Sequence, residues 1–130
     1  MQIEGENKIG SSQEEIEILK KRIAELERIS PDKGKGEIIK EVIKEHSEKS
    51  PENLLSKELQ ISKEEAEKHK ENIINLSTEP EHQRHIQELL RIAQDKGILN
   101  AISIVRDIND PHLEDEFHDA LIPFIQSHNV

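Results

Sequence analysis

The chain has 130 residues and a formal charge of −10, from 28 acidic against 18 basic side chains, and 35% of it is charged. Leu, Ile, Val and Phe number 36, enough for one core of modest size and more than disordered chains carry. Two Phe with no Trp or Tyr exclude an aromatic platform for single-stranded nucleic acid, and the lack of cysteine excludes disulfides, thiolate metal sites and a cysteine nucleophile.

Residues 1–11 are polar, contain glycine and are expected to be disordered. A first helix is expected over 12–30. Ser12 and Glu15 have capping-box spacing at its start, and Ser30-Pro31 disfavours helix at its end. With Ile16 at heptad position a, Leu19 falls at d, Ile23 at a and Leu26 at d, and Ile9 occupies a preceding a position. Isoleucine at a with leucine at d favours a parallel two-stranded coil. In that register Glu15 faces Lys20 of a second copy and Arg22 faces Glu27, both attractive pairs. The other reading of the same stripe is an amphipathic helix folded back on its own domain.

Residues 31–36, Pro31-Asp32-Lys33-Gly34-Lys35-Gly36, read as a flexible linker. Residues 37–50 hold a short amphipathic helix, with Ile38, Ile39, Val42 and Ile43 on one face, and a loop. A helical domain is expected over 51–128. Ser50-Pro51 opens it, with Leu54, Leu55 and Leu59 following. Ser62 and Glu65 repeat the capping-box spacing before Ala66, His69, Ile73 and Leu76. Thr78 and Pro80 start a helix with Ile86, Leu89, Leu90 and Ala93 on its apolar face, and Gly97 stops it. Ala101, Ile102 and Val105 share a face of the next helix. Asp110-Pro111 caps the last one, which buries Leu113, Phe117, Ala120, Leu121 and Phe124, while Pro123 is expected to interrupt it. No strand-like alternation competes, so the fold class is all-α: a small helical bundle preceded by a short N-terminal coiled-coil helix and a flexible linker.

Charge is segregated along the chain. Residues 1–36 carry 8 acids and 7 bases, residues 37–78 carry 10 and 7, and residues 79–130 carry 10 and 4. An acidic C-terminal region repels nucleic acid and anionic membranes, which bind basic clusters, but suits a basic protein partner. No apolar run approaches the length of a membrane span, and the first residues carry neither a basic nor an apolar signal region, so the expected compartment is the cytoplasm.

Candidate chemistry is sparse. His82 and His85 are three apart, His112, Glu116 and Asp119 form a carboxylate–histidine row, and Asp115 and His118 form a similar pair. Zinc needs three or four convergent ligands, and no second helix offers a matching pair, so an acidic first turn that complements the helix dipole is the simpler reading. No phosphate-cradling loop, Gly-x-Ser-x-Gly elbow or His-Glu-x-x-His occurs. The step Ile92-Ala93 to Gly97-Ile98 has the outline of a helix-turn-helix, but Ser103 and Arg106 fall where core residues belong.

The stretch Leu89-Leu90-Arg91-Ile92-Ala93-Gln94-Asp95-Lys96-Gly97-Ile98-Leu99-Asn100-Ala101-Ile102, with Asn109-Asp110-Pro111-His112-Leu113 and Phe117-His118-Asp119, resembles a helical segment of uncharacterised proteins from uncultured, reduced-genome bacteria of the candidate phyla radiation. The resemblance covers about residues 86–122. It implies a reusable helix–glycine–helix–Asp-Pro–helix unit and carries no function.

These readings converge on a non-enzymatic protein–protein interaction module, an adaptor or scaffold. It would self-associate as a parallel dimer through Ile16, Leu19, Ile23 and Leu26 and dock a protein partner on Asp115, Glu116 and Asp119. No cofactor or metal is expected. The alternatives are a helix-turn-helix-like DNA-binding regulator and a metal-binding helical protein.

Overall fold

A computed structural model describes residues 8–75 and 83–128, and the expected all-helical class holds, with seven helices among them. They are α1 (Ser12–Ile29), α2 (Lys35–Ser47), α3 (Pro51–Leu54), α4 (Lys63–Ile74), α5 (Gln83–Lys96), α6 (Ile98–Ile108) and α7 (Pro111–Ser127). Local signals set most of the boundaries. Ser62 Oγ accepts the Glu65 N–H at 3.0 Å, and Asp110 Oδ1 accepts the Leu113 N–H at 3.3 Å with Pro111 in the first turn. At the N-terminus the cap is Ser11, one residue earlier than the spacing suggests, and its hydroxyl accepts the Glu14 N–H. The helix start expected at Thr78 and Pro80 lies outside the described residues, as do Leu76 and His82.

Helix α6 is the axis of the bundle. Seven of its eleven residues are buried, and it packs against α1, α2, α4, α5 and α7. An apolar helix enclosed in this way must satisfy its end groups without water. Helices α5 and α6 meet at a one-residue corner. Gly97 donates to Ala93 O and accepts from Ala101 N, at φ 102° and ψ 153°, a region essentially restricted to glycine. The following corner uses Asn109 in the left-handed conformation, φ 64° and ψ 43°.

The first helix is not a separate arm. Ile16, Leu19 and Ile23 are buried in the same core as Ile38, Ile39, Val42 and Ile43 of α2, Leu89 of α5, Ile102 of α6 and Phe117 of α7, with Leu26 partly buried at its margin. The stripe that reads as a coiled-coil seam is therefore the inner face of an amphipathic helix. The linker expected over 31–36 contracts to a turn, because α2 already begins at Lys35, and Lys33 Nζ pairs with Glu41 at 2.7 Å. Residues 8–11, expected to be disordered, are held too. Ile9 is buried with Leu55, Leu59 and Leu99 in a second, smaller cluster. Helix α7 continues across Pro123 to Ser127, and Ile125 beyond the proline is fully buried. No helix among the described residues is long and apolar enough to cross a membrane.

Leu19→Ala is expected to cost about 2–5 kcal/mol in urea unfolding, the range for truncating a buried leucine. A loss below about 1 kcal/mol, typical of surface positions, would return α1 to the status of an arm.

Candidate functional site

The most concentrated polar chemistry lies in the interior, at the N-terminus of α6. A helix that starts after Gly97 has no side chain of its own to cap its first N–H groups. The acceptor comes from α1. Glu15 Oε1 accepts the Ile98 N–H at 2.6 Å, and Glu15 Oε2 accepts the Leu99 N–H at 2.9 Å. On its other side Oε2 lies 2.6 Å from His46 Nε2 at the end of α2. Both oxygens face backbone donors, so the ionised carboxylate is the form that fits, with His46 donating through Nε2. The carboxylate also sits at the positive end of the α6 dipole. Glu15 is 0% exposed and His46 4%.

This placement overturns both sequence readings of Glu15. It neither reaches back to the start of its own helix nor faces a lysine across a dimer. Glu14 takes the local role, accepting the Gly10 N–H at 2.7 Å. Arg22, expected to face Glu27 of a second copy, instead grips Glu45 of α2 through Nε at 3.1 Å and Nη2 at 3.0 Å, and Glu25 at 2.6 Å. The two hydrogen bonds from Arg22 hold the Glu45 carboxyl below its ordinary range, and Glu45 with Glu25 raises the Arg22 guanidinium. Lys20, the other half of the expected dimer pairing, donates to the His128 carbonyl.

Next to His46, Ser47 accepts the Arg106 guanidinium on its carbonyl at 2.7 Å and its hydroxyl at 3.2 Å. The end of α2 thus bonds Glu15 of α1 and Arg106 near the C-terminal end of α6. A carboxylate–imidazole pair can move protons in an enzyme when a substrate reaches it. Here the two oxygens already accept three donors and both side chains are closed to solvent, so the pair serves the fold. Seven of the eleven residues of α6, the second helix of the helix-turn-helix outline, are buried, with Arg106 and Asp107 exposed at its C-terminal end.

The residues expected to dock a partner lie on α7. Asp115 and Asp119 are exposed and Glu116 is partly so. Asp119 Oδ1 pairs with Lys40 at 3.2 Å, Glu116 lies 3.8 Å from His112, and Glu114 lies 3.4 Å from Arg106 Nε. Among the described residues no three His, Asp or Glu side chains converge on a point that could hold a metal ion, the row His112, Glu116 and Asp119 included. His118, on the same helix, has Nε2 buried without a hydrogen-bond partner. Burial lowers its imidazole below the usual value, against the opposing pull of Glu114, Asp115 and Asp119 and helped by Arg106. Between α1, α2 and α7 there is a shallow groove of about 300 Å³ lined by Ile23, Ala24, Ile39 and Ile125 with Lys20, Glu27 and Lys35.

Comparison with protein-family models, curated proteins and solved structures finds no match.

The polar cluster missed by sequence reasoning had one legible trace. Lys96-Gly97-Ile98-Leu99 opens an apolar helix without a capping side chain, which requires an acceptor from elsewhere. Nothing local indicates that Glu15 supplies it.

Glu15→Gln places an amide nitrogen against a buried N–H in either orientation, so it is expected to cost about 2–4 kcal/mol in urea unfolding. Gly97→Ala is expected to cost about 3 kcal/mol or more, because its Cβ would lie 2.7 Å from Glu15 Oε1 at a φ that only glycine tolerates. Either variant at wild-type stability would remove Glu15 from its structural role. His118 is neutral more persistently folded than unfolded, so the unfolded chain takes up the proton first as pH falls below 6.5. The stability it permits is present above that pH and lost below it. The urea midpoint of His118→Leu should therefore fall less between neutral pH and pH 5 than that of the wild type, and parallel profiles would contradict this.

Proposed function

We propose that the chain is a non-enzymatic protein–protein interaction module whose docking surface is the acidic side of α7, and that its partner presents a lysine- or arginine-rich segment. The observation that carries this reading is charge segregation. Residues 107–130 contain six acids and no lysine or arginine. Asp115 and Asp119 stand one turn apart on this helix, with Glu116 beside them. The cation paired with Asp119 is loosely held, since Lys40 and Asp119 are 63% and 62% exposed. Such a pair contributes little and opens readily for a competing cation. A carboxylate face of this kind speeds encounter with a basic partner and discriminates against acidic ones.

Self-association through Ile16, Leu19, Ile23 and Leu26 is not part of this proposal. A parallel dimer on that seam would require α1 to leave the core and Glu15 to abandon the start of α6.

The test is affinity capture from cell extract at low salt with the full chain as bait. Proteins specific to the wild type should elute as salt screens the interaction. They should be lost from a chain carrying Asp115→Lys, Glu116→Lys and Asp119→Lys with an unchanged circular dichroism spectrum. An identical set of captured proteins for both baits would remove α7 from the docking surface.

A further inference from the structure

Residues Lys8-Ile9-Gly10 run in extended form across the loop after α3. Ile9 N–H donates to Leu54 O at 2.9 Å, and Ser56 N–H donates to Ile9 O at 2.8 Å, an isolated parallel β-bridge. Backbone pairing of this type is available to any extended chain, with side-chain pockets supplying the selectivity. Here the pocket is plain. The Ile9 side chain is 1% exposed and sits among Leu55, Leu59 and Leu99, a cluster distinct from the main core. Before it, Lys8 Nζ donates to the Glu52 carbonyl at 2.9 Å.

The position after Ile9 is imperfectly matched. Ser56 Oγ is buried without a hydrogen-bond partner. A Cβ built on Gly10 would stand 4.0 Å from that oxygen and 3.4 Å from Glu14 Oε1, both ordinary contact distances. A serine or threonine hydroxyl, one bond further out, would come within hydrogen-bonding reach of Ser56 Oγ. The chain's own segment, with glycine there, leaves the group unsatisfied.

We infer that Leu55, Leu59, Leu99 and the 54–56 backbone form a receptor for an extended peptide of the pattern basic–branched aliphatic–hydroxyl, and that Lys8-Ile9-Gly10 occupies it in cis. The occupant is held by one buried isoleucine, two backbone bonds and the exposed Lys8–Glu52 and Gly10–Glu14 bonds, offset in part by the entropy of ordering three residues. The receptor itself is preorganised. Leu99, in its wall, has its N–H fixed by Glu15, and Leu59 O accepts the Asn100 side-chain amide at 2.8 Å. A peptide from a partner that meets Ser56 would therefore displace the strap without rebuilding the pocket. This surface uses none of Asp115, Glu116 or Asp119, so it stands independently of the acidic face.

The probe is a fluorescein-labelled octapeptide, Gly-Glu-Asn-Lys-Ile-Ser-Ser-Ser, which copies residues 5–12 with serine at the glycine position, followed by anisotropy with the full chain. It should bind the Ile9→Ala chain about tenfold more tightly than the wild type, whose own strap competes. The same peptide with glycine restored should bind more weakly, and one with aspartate for isoleucine should not bind. The chain carrying Asp115→Lys, Glu116→Lys and Asp119→Lys should bind it unchanged, which separates failure here from failure of the acidic-face reading. No binding to the Ile9→Ala chain, or equal binding of the aspartate peptide, overturns the inference. If Ile9→Ala does not fold, amide exchange in the full-length Gly10→Ser chain decides. The Ser56 N–H should exchange about tenfold more slowly than in the wild type as the satisfied strap opens less often. Unchanged exchange overturns the inference.

Discussion

Glu15 caps a helix that is not its own, and the arrangement of the other helices depends on that contact. Helix α6 is apolar on most of its circumference because it lies at the centre of the bundle. Its first N–H groups consequently open into protein, where an unmet donor is costly. Gly97 cannot cap them. It is nevertheless required, because the corner lies in a glycine-only region and a Cβ would occupy the space of the carboxylate that does the capping. Helix α1 is drawn against the bundle by this carboxylate, and His46 brings the end of α2 to the same point. A charge buried this deeply is tolerated only when it is well hydrogen-bonded, and here three donors reach its two oxygens.

The rest of the charge is arranged in the opposite sense. Surface pairs such as Lys33 with Glu41 and Lys40 with Asp119 are solvated and each contributes little. The tighter Arg22 fork to Glu45 ties α1 to α2 outside the core, as Glu15 and His46 do within it. After Arg106 the sequence has no lysine or arginine, and Asp119 and Glu114 of α7 pair with Lys40 and Arg106 from other helices. Asp115 and Asp119 are exposed on that helix, and the proposed function rests there.

Stability is unevenly distributed between the two clusters. The main core joins residues of α1, α2, α4, α5, α6 and α7, and loss of one side chain is shared among many neighbours. The smaller cluster is closed by one isoleucine from a segment whose other attachments are two backbone bonds and two exposed side-chain bonds. It also lies beside the buried carboxylate: Leu99 belongs to it and donates to Glu15, and Leu59 lies within contact range of a Cβ at Gly97. The segment at Ile9 thus helps to cover the capped end of α6.

The sequence by itself determined the helices, most of their boundaries and which face of each is apolar. Those properties follow from the spacing of isoleucine and leucine and from capping residues such as Ser62, Asp110 and Pro111, which act within one or two turns. It also displayed the acidic stretch of α7, since charge composition needs no fold to be counted. What α1 packs against was a different matter. A stripe at Ile16, Leu19 and Ile23 has the same spacing whether it faces a second copy or its own domain, and periodicity reports a face, not its neighbour. Only the tertiary structure decided between them, through contacts separated by 83 and 31 residues, from Glu15 to Ile98 and to His46. The same applies to Ile9, whose polar surroundings in sequence give no sign of a pocket assembled from Leu55, Leu59 and Leu99. Long-range partners of a single buried carboxylate or a single apolar side chain leave no local pattern, because the groups that satisfy them come from elements distant in the chain.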